Sequence, residues 1–88
     1  MLTAEQRTRH KGLHEEVLRF TTIQRTTVVA NFGETHRAVR VIDDLLIATR
    51  EIIALLSRVE WNQSLDEQYV QQTVLLENLI VILTPLLS

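Results

Sequence analysis

Three histidines are the side chains in this sequence with the plainest claim to metal chemistry, and two of them, His10 and His14, stand four residues apart. On a helix that spacing places both imidazoles on one face, where they offer two nitrogen ligands to a zinc-class ion. A third ligand is missing nearby: the chain has no cysteine, and His36 is its one other histidine. On ligand count, the expectation is two exposed histidines on an amphipathic helix and no metal site. His14-Glu15-Glu16-Val17-Leu18 opens like a zinc-protease helix but has Leu18 where the second histidine belongs.

Carboxylates fare no better. A di-iron bundle needs Glu-x-x-His pairs, and no glutamate here is followed by histidine three residues later. Asp43-Asp44 and Glu15-Glu16 are sequence neighbours, which on a helix point about 100° apart and cannot pair as acid and base. Ser57, Ser64 and Ser88 have no histidine or lysine at motif spacing, and there is no glycine-rich phosphate loop. The expectation is a protein without catalytic residues or cofactor. Arg7, Arg9, His10 and Lys11 cluster, and Arg19 and Arg25 extend the basic segment. Arg7, Arg9 and Lys11 are thus candidate nucleic-acid contacts, but interspersed acids and a pI near 5.9 weigh against that role.

The elements that would carry these residues are helices. With two glycines and one proline in 88 residues, the chain cannot supply the reversals a turn-rich β architecture needs. Hydrophobic residues make up 45% of it but aromatics only 5%, so Leu, Ile, Val and Ala must fill its seams. Thr3 with Gln6 has capping-box spacing, and a helix is expected over residues 4–30. The threonine-rich run from Phe20 to Val29 is a poor helix former, yet it lacks the alternation of a strand and has no second strand to pair with. A break or kink is expected near Gly33, with Thr35 capping a second helix over residues 35–59. Ser64 with Glu67 is the next capping box, starting a third helix over residues 65–84 that Pro85 ends. The short connection predicts a C-terminal antiparallel hairpin, and the whole chain, residues 1–88, reads as one all-α domain with bundle or coiled-coil packing.

The second helix is the most informative element. Its seam is flanked by further apolar residues, and its polar stripe of Arg37, Arg40, Asp44, Glu51 and Arg58 is interrupted by Ile47 and Ala54. Such a helix must touch at least two neighbours. The expected core and interface therefore comprise Val39, Ile42, Leu45, Leu46, Ile47, Ile52, Ile53 and Leu56, with Trp61 at the turn and Leu76, Leu79, Ile80 and Leu83 opposite. Whether the first helix or another chain supplies the second neighbour is left open at this level.

Charge is unevenly spread. Residues 1–25 carry five Arg/Lys against three Glu, residues 60–88 carry four acids and no base, and the net charge is −2. Eight of the nine basic residues are Arg, the cation favoured at protein interfaces. The N-terminus alternates charges where a signal peptide needs an apolar core. The stretch Val74–Leu87 contains Glu77, Asn78 and Pro85 and falls short of the ~20 residues of a membrane span. An intracellular, cytoplasmic protein without membrane insertion is expected.

Asp66-Glu67-Gln68-Tyr69 followed by Leu75-Leu76-Glu77 resembles the second helix of the small helical-hairpin co-chaperones of type III secretion needle subunits, over about a quarter of the chain. That resemblance implies a chaperone shielding an apolar helix of a client. The residues themselves point first to a non-enzymatic helical protein–protein interaction module, either a small subunit or adaptor of a larger assembly or a homo-oligomer. Its partner would be a protein or a second copy, met through apolar helix faces. The co-chaperone and the nucleic-acid binder are the alternatives.

Overall fold

The first helix begins as its spacing predicts. In the computed structural model, which describes residues 1–88, the Thr3 hydroxyl accepts the Gln6 backbone N–H at 3.1 Å and the Gln6 side chain accepts the Thr3 N–H at 2.9 Å. From this reciprocal cap runs α1, Ala4–Phe32. The threonine-rich stretch stays helical. Thr22, Thr26 and Thr27 each donate a hydroxyl to the carbonyl one turn back, so their side chains are satisfied within the helix. Helix α1 continues two residues past its expected end and stops at Gly33, whose φ of 88° is closed to residues with a Cβ except at a cost.

Two expected caps are corrected. Thr35 does not cap α2, Arg37–Leu56; His36 does, its Nδ1 accepting the Ala38 N–H at 3.1 Å. The turn closes with the His36 N–H donating to the Gly33 carbonyl, which leaves Thr35 inside it. Likewise Ser64 is not the cap of α3, Gln63–Leu86; Asn62 accepts the Leu65 N–H at 3.0 Å two residues earlier. Helix α2 ends three residues before its expected limit, where Ser57 and Arg58 donate to carbonyls three residues back and tighten the last turn. Pro85 does not terminate α3 but sits in its final turn. There it forfeits only its own N–H, and Leu87 and Ser88 close the end with three-residue bonds.

Helix α2 lies between the other two and packs on both. Helices α1 and α3 begin at the same end of the molecule, where Leu2 donates its N–H to Asp66 and His10 reaches Tyr69. At the other end Arg25 of α1 pairs with Asp43 of α2, so α2 runs back between its neighbours. A 29-residue helix is about 43 Å long. The molecule measures 42 × 19 × 16 Å, so all three helices lie alongside one another.

The core follows from this placement. Ten of the twenty residues of α2 are buried, with Ile42, Thr49 and Ile52 at its centre. Helix α3 adds Leu65, Tyr69, Leu76 and Leu83; α1 adds only Thr21 and Val28. The middle helix needs two neighbours, and its own chain provides both.

Candidate functional site

Most of the residues expected at an interface are used inside the chain. Val39, Ile42, Leu45, Leu46, Ile52, Leu56, Leu76 and Leu83 are all buried in the core. Ile53, Trp61 and Leu79 are half-buried. Only Ile47 and Ile80 remain substantially open, at 54% and 44% exposure. Much of the apolar surface that faces outward lies instead on α3. At 100° per residue, Val70, Val74 and Val81 fall within about 40° of one another. They point away from the buried line of Leu65, Tyr69, Leu76 and Leu83, and Val81 is 70% exposed. Leu75 and Ile82 are also exposed but lie roughly 80–140° round the helix from these valines, beyond Gln71 and Asn78, and Glu77 falls among the valines.

The sequence signals only the C-terminal part of this surface, where Leu79–Leu83 is apolar all round and calls for burial, yet Val81 and Ile82 stay exposed. A helix with one neighbour cannot bury such a segment completely. Beside this surface, a shallow groove opens where α2 meets α3. Ile47, Ala48, Leu75 and Leu79 form its apolar lining, and Asp44 and Glu51 stand among them. A second, smaller line of exposed apolar residues, Leu13, Phe20 and Ile23, runs along the outside of α1.

The N-terminal basic residues are engaged to different degrees. Arg7 lies over the Trp61 ring, 5.1 Å from its centroid, and donates to the Leu2 carbonyl at 2.9 Å. It belongs to a knot at the start of α1 in which Asp66 accepts both the Leu2 N–H and the Trp61 indole N–H. These two donors hold the Asp66 carboxyl below the ordinary aspartate range. Arg9 is exposed and Lys11 half-exposed. The polar cleft at the α1–α2 turn sets Arg25, Arg37 and Arg40 against Glu34, Asp43 and Asp44, so it carries no surplus charge.

The histidines depart furthest from expectation. Neither is an exposed bystander. His10 Nδ1 lies 2.8 Å and His14 Nε2 3.2 Å from the hydroxyl of Tyr69, a residue only 8% exposed. Both rings meet the tyrosine edge to face. Burial, and secondarily the neighbouring His10, holds the His14 pKa below its ordinary value, while burial raises that of Tyr69. The other nitrogen of His14, Nδ1, and the Gln72 Oε1 are buried without hydrogen-bond partners. Tyr69 lies 55 residues from His14, and periodicity cannot show which distant residue a buried face meets.

Helix α3 is also longer than the span considered in the sequence. Its 24 residues, with a mean hydropathy of 1.2 over the most apolar 18, pass the length and composition test for a membrane crossing. Its inward face is committed to α2. Comparison with protein-family models, curated proteins and solved structures finds no match to this chain.

Proposed function

We propose that this chain is a non-enzymatic helical interaction module, a small assembly subunit that associates with copies of itself through the outside of α3. The observation that supports this reading is the outward line of Val70, Val74 and Val81, with Leu75 and Ile82 exposed toward the α2 side, each about half exposed or more on a helix whose other face is already packed. Exposed apolar surface on a small domain is costly in water, and burial against a second helix removes that cost. Glu67 and Glu77 are ten residues apart, so two α3 helices crossing antiparallel at Val74 would set Glu67 against Val81 and Glu77 against Gln71; no two acids meet, and both carboxylates must stay at the solvated rim of the contact.

Size-exclusion chromatography with light scattering over a wide concentration range tests the reading. The expected result is a mass above the 10.2 kDa of one chain that falls on dilution. The double variant Val74→Glu/Val81→Glu should return it to one chain with helicity intact. A single 10.2 kDa species at every concentration would overturn self-association. The co-chaperone alternative rests on the resemblance of Asp66–Tyr69 and Leu75–Glu77 alone, since the apolar face of α2 that would suit a client helix is covered by α1 and α3. The nucleic-acid alternative loses Arg7, which is held against Trp61.

A further inference from the structure

Two histidines alone fall one ligand short of a metal site, and the fold supplies a third donor. We propose that His10, His14 and Tyr69 form a binding site for a zinc-class divalent transition ion, which fastens α1 to α3. Two imidazole nitrogens of α1 close on one oxygen of α3: His10 Nδ1 and His14 Nε2 lie 2.8 and 3.2 Å from Tyr69 Oη. In a tetrahedral site with bonds near 2.0–2.1 Å, adjacent donors stand about 3.3 Å apart. The His14–Tyr69 separation already matches, and the His10–Tyr69 pair must open by only about 0.5 Å on the same geometry.

The chemistry suits a borderline ion rather than magnesium or calcium, because imidazole supplies two of the three donors and no carboxylate takes part. Coordination as phenolate would release the Tyr69 proton to solvent as the oxygen–metal bond forms. His14 Nδ1 is buried without a hydrogen-bond partner, so the ring is held only through the contact of its Nε2 with Tyr69. An ion at this point would also join two helices whose backbones do not otherwise approach one another.

The test is titration of the full chain with Co2+, followed by displacement with Zn2+. The expected result is a visible Co2+ spectrum of low coordination number that saturates at one ion per chain, and a higher Tm with Zn2+. His10→Ala or His14→Ala should abolish the spectrum. Tyr69→Phe keeps the ring and removes only the oxygen, so it tests the third donor in a folded protein and should weaken binding tenfold or more. His36→Ala, which alters the α2 cap alone, should leave binding unchanged. Absence of a Co2+ spectrum and of a Zn2+-dependent Tm shift overturns the proposal. So does full-strength binding in Tyr69→Phe, or saturation at one ion per two chains.

Discussion

Thr49 sits at the centre of the core with no exposed surface, yet its hydroxyl donates to the Leu45 carbonyl at 2.7 Å, so the buried polar group is satisfied within its own helix. Replacing it with the isosteric valine removes donor and bond together, and Thr49→Val should change stability by less than about 1 kcal/mol in urea unfolding. Ile52→Ala, one turn on, leaves a cavity and should cost about 2–5 kcal/mol. Asp66 governs the acid side. Its carboxyl is held below the ordinary value of 3.8 by the Leu2 and Trp61 donors. The folded state therefore favours the ionised form: its stabilising contribution is present above pH 3.8 and is lost as pH falls through the lower folded value. The Trp61 indole N–H resonance should report that step by NMR, and Asp66→Asn should remove it. Single-residue roles were unevenly readable. The Thr3–Gln6 box follows from spacing alone, whereas Ser64 and Asn62 are near-equal caps by type. Position two residues earlier places Trp61 and Asp66 together, a contact no local rule contains.

At the scale of elements the two glycines separate backbone strain from packing. A Cβ at either Gly12 or Gly33 would meet no atom within 4 Å, so neither substitution causes a clash. Gly12 lies on the exposed side of α1 in ordinary helical backbone, and Gly12→Ala should stabilise by about 0.5–1 kcal/mol. Gly33 has φ 88° and ψ 161°, a region essentially confined to glycine, and Gly33→Ala should cost about 1–3 kcal/mol. Thermal unfolding of the two variants should thus shift Tm in opposite directions. The helices also differ in what secures them. With Thr21 and Val28 its only fully buried residues, α1 should exchange its amide hydrogens faster than α2, half of whose residues are buried. The break at Gly33 was readable because few residues other than glycine tolerate that backbone. The end of α2 was not: Val59 continues the apolar spacing but is 96% exposed, since the chain has already turned at Ser57.

For the whole molecule, the two faces of α3 should respond differently to substitution. Leu76→Ala, pointing into the core, should cost about 2–5 kcal/mol. Val74→Glu, on the outside, should leave the isolated chain within about 0.5 kcal/mol of its original stability while abolishing association. Denaturation of each variant alongside light scattering distinguishes a lost core from a lost interface. The sequence by itself determined the three helices, the break at Gly33, the lack of enzyme motifs and the need of α2 for two neighbours. These depend on local backbone preference and on the width of an apolar face, both written within a few turns of chain. Only the tertiary structure decided that α1 is the second neighbour and that the unpartnered apolar surface therefore lies on the outsides of α3 and α1. It alone brought Tyr69 to His10 and His14. Periodicity states that a face must be covered, but the identity of what covers it depends on how helices of about 30–43 Å fold back on one another, and that is a property of the whole chain.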